Sequence, residues 1–140
     1  MAVTFRGDYF GSYANEYSGA VTIPSTVTYN SKTYSVTSIG RSAFEGCRSL
    51  TSITIPEGVT SIGEWAFAYC SSLTAITIHE SVTSIGGYAC YGCSSLTSIT
   101  IPESVTSIGN YAFRNCSSLT AIVVTEKLKV ANSQFLTPNS

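Results

Sequence analysis

Charge is scarce in this chain: 11% of its residues are Asp, Glu, Lys or Arg, and the net charge is −1. A typical soluble domain carries about a quarter. With no basic run to neutralise phosphates, nucleic acid is not a partner that the sequence is built for. Apolar runs are short, and none approaches the roughly 18 residues of a membrane-spanning helix. The opening MAVTFRGDYF also lacks the charged-then-apolar layout of a signal peptide. There is one Trp, one Met, one His (His79) and one Asp (Asp8) in 140 residues, so catalytic constellations have little to draw on.

Hydroxyls take the place of charge, with 23 Ser and 18 Thr. Hydrophobic content of 44% is enough for one continuous core, and the length suits a single domain. Five cysteines is an odd number in a chain too large to need disulfide staples. Their spacing accounts for four of them.

Cys47, Cys70, Cys93 and Cys116 recur every 23 residues, so internal repetition is the primary signal. In register the units read CRSLTSITIPEGVTSIGEWAFAY, CSSLTAITIHESVTSIGGYACYG and CSSLTSITIPESVTSIGNYAFRN, followed by a partial CSSLTAIVVTEKLK. Upstream, VTSIGRSAFEG from Val36 supplies the second half of an earlier unit, and VTIP from Val21 part of its first half.

Within a unit, Leu50, Ile53 and Ile55 form L-x-x-I-x-I, with Ile53 and Ile55 on one face and Ser52 and Thr54 on the other. That is a short half-buried strand, which Pro56 ends because it cannot donate to a ladder. Val59 and Ile62 give a second apolar pair before Gly63. EWAFAYC then suits a short helical or 3₁₀ turn burying Ala66, Phe67 and Cys70. Each unit makes one circuit with its apolar residues inward, and a lone circuit cannot offset its own ordering entropy. Stacking coil on coil is required.

The pattern C-x-x-L-x-x-I-x-I-P-x-x-V-x-x-I-G-x-x-A-F, from Val36 to about Val124, resembles the leucine-rich repeats of the BspA-like bacterial surface antigens. YSGAVTIPSTVTYNSKTYSVTSIG likewise resembles the opening segment of such proteins. The resemblance implies a β-rich α/β solenoid: a right-handed leucine-rich-repeat superhelix of short parallel strands and short helical or 3₁₀ turns. It also implies an extracellular or cell-surface interaction protein, in some cases an adhesin for host matrix proteins. Departures from the pattern are Cys90 where Phe44, Phe67 and Phe113 stand, His79 and Thr125 where Pro56 and Pro102 stand, and a degenerate last unit.

Three parts follow: a cap over 1–35, repeats over 36–124 and a degenerate tail over 125–140. In the cap, Val27–Tyr29 and Lys32–Tyr34 alternate around Asn30-Ser31 and predict a β-hairpin. With Phe5, Tyr9, Phe10, Tyr13 and Tyr17 it would roof the first core slice. In the tail, Lys127 and Lys129 discourage edge pairing.

Several motifs have both a chemical and a structural reading. A triad needs hydrogen-bond reach of about 3 Å, whereas the repeat separates His79 and Asp8 by several coils; no catalytic residue and no cofactor are assigned. Cys90-Tyr-Gly-Cys93 spells C-x-x-C, but zinc wants four convergent ligands, and the register makes both thiols core residues. Glu57, Glu80, Glu103 and Glu126 form a single file with too few helpers for Ca²⁺; solvated carboxylates on a turn are expected. Ser52/Thr54, Ala75/Thr77 and Ser98/Thr100 stack into an outward hydroxyl array. Its regularity resembles an ice- or crystal-binding face, although Thr also favours strands for its own sake, and Ala75, Ala121 and Val123 interrupt it. Arg6-Gly7-Asp8 spells an integrin-recognition tripeptide within the cap.

The copies differ chiefly on the turn side: Arg41, Glu64, Gly87, Asn110; Ser42, Trp65, Tyr88, Tyr111; Glu45, Ala68, Tyr91, Arg114; Gly46, Tyr69, Gly92, Asn115. Trp65, Tyr88 and Tyr111 would stack as an aromatic file. With Tyr69, Tyr91 and Arg114 they form the candidate binding surface, a mixture enriched at interfaces and suited to stacking on sugars. The expected function is a non-catalytic interaction module for a protein or glycan ligand, host matrix included. A Thr-file ice binder and a purely structural spacer are the alternatives.

Overall fold

The computed structural model describes residues 2–3 and 17–124. Phe5, Tyr9, Phe10, Tyr13, the Arg6-Gly7-Asp8 tripeptide, Glu126 and the tail lie outside those residues. The described residues form twelve strands: β1 (Ala2–Val3), β2 (Ser18–Thr22), β3 (Thr26–Tyr29), β4 (Lys32–Ser35), β5 (Ser38–Ile39), β6 (Ser49–Ile55), β7 (Ser61–Ile62), β8 (Ala75–Ile78), β9 (Ser84–Ile85), β10 (Ser98–Thr100), β11 (Ser107–Ile108) and β12 (Ala121–Val123). Each 23-residue unit contributes a longer strand from its SITI segment and a two-residue strand from its SIG segment, so the chain winds as a β-solenoid of about four turns.

The short strands stack into one parallel sheet in the order β1-β5-β7-β9-β11. Register follows the repeat: Ile39 pairs Ile62, Ile62 pairs Ile85 and Ile85 pairs Ile108. The longer strands build a second wall, in which Ile53 faces Val21 on one side and Ile76 on the other. Alternation puts Ile53 and Ile55 inside and Thr54 outside, and the register shift that leaves Thr51 exposed brings Leu50 inside as well; all three apolar residues are 1% exposed or less. Leu73, Leu96, Val59, Val82 and Phe67 are equally buried, and the Phe44 and Phe67 rings stack at 5.4 Å and 12°. The interior is one unbroken column from Ile23 to Leu119.

Glycine closes the stack at one corner of every coil. A Cβ on Gly63 would lie 2.8 Å from the backbone nitrogen of Arg41, and one on Gly86 would lie 2.6 Å from that of Glu64. Gly109 meets the Gly87 backbone in the same way. Any side chain at these positions would hold neighbouring coils apart.

The segment expected to be a short helical or 3₁₀ turn is neither; no α- or 3₁₀-helix occurs among the described residues. From Gly63 to Cys70 the amides alternate in purpose. Ala66, Ala68 and Cys70 donate to carbonyls three residues back, at 3.1–3.4 Å, whereas Trp65, Phe67 and Tyr69 donate to Gly87, Ala89 and Tyr91 of the next coil, at 2.7–3.1 Å. A helix would spend every amide internally and leave the coils unlinked. Alternation is possible because residues 65 and 69 adopt a left-handed backbone, both at φ 59°. The Ala-Phe pattern that reads as helical reflects inward packing of a run of tight turns.

The expected hairpin is present: β3 and β4 pair antiparallel from Thr26↔Ser35 to Tyr29↔Lys32, and Asn30 and Ser31 both take positive φ as a type I′ turn requires. Its Val27 packs against the core, and the Tyr17 ring lies 4.9 Å from that of Phe44. β1 extends the five-stranded sheet beside β5.

Candidate functional site

The turn side carries the residues that vary from copy to copy. Ser42, Trp65, Tyr88 and Tyr111 occupy equivalent places, all with φ between 57° and 59°. A left-handed backbone costs a non-glycine residue about 1–2 kcal/mol, and bulky side chains are seldom found there. Three of the four positions nonetheless carry an aromatic ring.

Successive coils bring those rings into contact. Trp65 and Tyr88 stack at 4.3 Å with planes 2° apart, and Tyr88 meets Tyr111 at 5.3 Å and 44°. Tyr91 closes one flank, lying 5.8 Å from Trp65, 5.7 Å from Tyr88 and edge-on to Tyr69 at 5.4 Å. Arg114 sits over the Tyr111 ring at 4.9 Å. All six residues of the candidate surface therefore form one cluster, with Tyr69 and Tyr111 each 39% exposed and the other rings half-buried.

Two supports were not evident in the sequence. Asn115 donates from Nδ2 to the Tyr91 hydroxyl at 2.7 Å. Gly92, at φ 71°, leaves room for the Tyr69 ring, which a Cβ would approach to 3.1 Å. Both stand in the variable column Gly46-Tyr69-Gly92-Asn115, so variation between copies was the signal that could have found them.

The file ends at Trp65 because the preceding coil has Ser42. An open recess of about 330 Å³ lies there, lined by Arg41, Ser42, Glu45, Trp65 and Tyr69. Arg41 reaches Glu64 at 3.5 Å, both well exposed.

On the long-strand wall the hydroxyl array is not continuous. β6 pairs β8 and β10 pairs β12, but no hydrogen bond joins β8 to β10, and a cleft of about 390 Å³ opens between them beside Thr77, Ile78, Ser98 and Thr100. Ile78 is half-buried where its counterparts Ile55 and Ile101 are buried, and Ser104 Oγ is buried without the partner that Ser81 finds in the Val59 carbonyl at 2.7 Å. A flat ice-matching array requires the regularity that this break removes. Other Thr files serve the stack itself: Thr60, Thr83 and Thr106 each donate a hydroxyl to the carbonyl 23 residues earlier, at 3.1–3.3 Å.

The five cysteines are buried, and none is in a disulfide. Cys70, Cys93 and Cys116 donate their thiols to Phe44, Phe67 and Cys90 carbonyls at 3.0–3.1 Å. Burial pushes the Cys70 thiol far up and that of Cys116 up to about 12; Cys93 is raised by its contact with Cys90 and by burial. Glu57, Glu80 and Glu103 are exposed, and His79 is exposed with its Nδ1 accepting from the Ser81 amide at 3.3 Å. No group of three or more metal-ligating side chains occurs among the described residues.

The model for BspA-type leucine-rich repeat regions matches residues 21–139 in six copies. The chain belongs to the BspA-type leucine-rich repeat family. Solved leucine-rich repeat proteins share the coil. A leucine-rich repeat protein from Bacteroides capillosus is 33% identical, with a TM-score of 0.73 over 89% of this chain and 86% of that one. One from Bacteroides ovatus is 38% identical, with a TM-score of 0.60 over 83% of this chain and 38% of that one. A leucine-rich cell surface protein from Faecalibacterium prausnitzii is 27% identical, with a TM-score of 0.54 over 77% of this chain and 48% of that one. No curated protein matches. Membership marks the BspA-type repeat here as a protein-interaction or surface-repeat module, and no helix among the described residues is long and apolar enough to cross a membrane.

Proposed function

We propose that this chain is a non-catalytic interaction module, acting outside the cell or at its surface, that captures a protein or glycan ligand through the aromatic turn face. The observation that carries the reading is the stacked file of Trp65, Tyr88 and Tyr111, each held in a strained left-handed backbone. Ser42 shows that the coil closes at this position without a ring, in the same backbone conformation. A large ring that the coil closes without points to use at a surface. Aromatic rings beside an arginine are the residues that dominate binding energy at interfaces. The surface address is supported by the Faecalibacterium neighbour, described as a cell surface protein.

The test is a screen against immobilised extracellular-matrix proteins and an oligosaccharide array, repeated with Trp65, Tyr88 and Tyr111 all changed to Ala. The module reading predicts that capture falls at least tenfold while unfolding stays cooperative. Capture unchanged by the triple variant, or no capture by the parent chain, leaves the spacer reading in its place.

A further inference from the structure

The aromatic file has a vacant place. Ring normals in the Trp65–Tyr88 stack run along the solenoid axis, since the two planes differ by 2° and their centroids by 4.3 Å, close to one coil's rise of about 4.8 Å. Tyr88 covers one face of the indole; the recess borders the indole on the side of the preceding coil, flanked by Tyr69, whose ring lies 6.5 Å away at 25°. There Ser42 repeats the backbone of Tyr88 and Tyr111, at φ 57°, without a ring. The recess of about 330 Å³ is thus the fourth position of the stack. Its rim is polar: Arg41 and the half-buried Glu45, whose carboxylate makes no hydrogen bond or ion pair among the described residues.

We infer that this recess binds one pyranose unit of a neutral or amino-sugar glycan, the sugar's C–H face lying on Trp65 as the missing ring. The inference rests on the interaction-module reading and names its ligand class. A pyranose is a ring with an apolar face and a girdle of hydroxyls. The face suits the open side of the indole, as a ring suits its other side. The girdle supplies donors to Glu45 and acceptors for Arg41, in charge-assisted bonds that are stronger than neutral ones. A phenyl ring would fill the slot but leave those groups unpaired. Charge narrows the class further. Glu64 already engages Arg41, so the unbalanced charge at the rim is the Glu45 carboxylate, which repels sialic acid, uronic acid and sulfated sugars.

Trp65 is the chain's single tryptophan, so its fluorescence reports on the slot directly. The experiment titrates the protein with cellohexaose, mannohexaose and the N-acetylglucosamine hexamer, and with sialyllactose and a heparin hexasaccharide as acidic probes. A saturable change with at least one neutral oligosaccharide and none with the acidic pair is expected. Ser42→Tyr, which completes the file as Tyr88 and Tyr111 do, should abolish that change, and Glu45→Gln should weaken affinity about tenfold. Glu45→Gln alone keeps the test open should Ser42→Tyr unfold. No response to any neutral probe, preference for the acidic probes, or binding unaltered in Ser42→Tyr and Glu45→Gln overturns the assignment. A tyrosine-bearing peptide that quenches Trp65 in a Ser42→Tyr-sensitive way, where sugars do not, overturns the ligand class. If Ser42→Tyr keeps ligand capture while the triple aromatic variant loses it, the turn face stands as the binding surface and the slot does not.

Discussion

A Cβ added to Gly86 would stand 2.6 Å from the backbone nitrogen of Glu64 in the preceding coil, and this contact sets how closely the coils can approach. The carbonyl of Ile62 also receives the Gly86 amide at 2.8 Å, so the glycine cannot retreat without losing a ladder bond. Gly86→Ala should therefore destabilise by about 2–4 kcal/mol, the range of a forced overlap in a packed region together with a lost hydrogen bond. Gly58→Ala is the control: it has φ 96° but only ordinary contact, at 3.6 Å, and should cost about 1 kcal/mol. Urea denaturation of both variants gives the comparison; equal losses would mean that backbone conformation rather than coil spacing decides.

Core and turn aromatics should separate in the same assay. Phe67 is fully buried against Phe44, and Phe67→Ala should cost about 3–5 kcal/mol. Trp65 is half-buried and sits in a left-handed backbone that glycine relieves, so Trp65→Gly should cost about 1–2 kcal/mol.

The thiols give a pH dependence of definite sign. In the folded chain Cys116 titrates at about 12, above its ordinary 9.0, because burial disfavours the thiolate. A group raised on folding stabilises fully below its unfolded value and loses that contribution as pH climbs through the folded one. Stability should thus fall between pH 9 and 12, and Cys116→Ala should reduce the slope by about one proton, or 1.4 kcal/mol per pH unit. An unchanged slope in that variant would place Cys116 in contact with solvent.

Amide exchange should locate the break in the long-strand wall. Thr74 donates to Thr51 at 2.9 Å and Thr120 to Thr97 at 3.1 Å, while the equivalent bond from Thr97 to Thr74 is missing. Thr97 should exchange faster than both. Thr106, later in the same coil and bonded to Thr83 at 2.8 Å, should remain protected.

Much of this was legible in the residues. Period 23 and the alternation of Ile53 and Ile55 pointed to the coil and the buried cysteines, and the alternation of Val27–Tyr29 and Lys32–Tyr34 to the hairpin around Asn30-Ser31. The turn segment was misread because inward spacing of Ala66, Phe67 and Cys70 is common to a helix and to a run of tight turns. What separates them is the left-handed backbone at Trp65 and Tyr69, where the residue types give no warning. The β8–β10 break was hidden for another reason: Ser98-Ile99-Thr100 repeats Ser52-Ile53-Thr54 letter for letter, so pairing there is decided between coils rather than within one. Trp65, Tyr69, Tyr88, Tyr91, Tyr111 and Arg114 were recognisable as a group from variation against a constant scaffold. The value of Ser42 was not, since a missing ring matters only once the stack beside it is known.

Register decides the rest, because the aromatic face exists only if residues 23 apart touch. A double-mutant cycle on Trp65 and Tyr88, read by urea denaturation of the single and double Gly variants, measures that contact. A coupling of about 0.5–1.5 kcal/mol is expected for this pair, against none for Trp65 with Tyr111 two coils away. Coupling near zero for the first pair, or equal for both, would contradict the stacked arrangement.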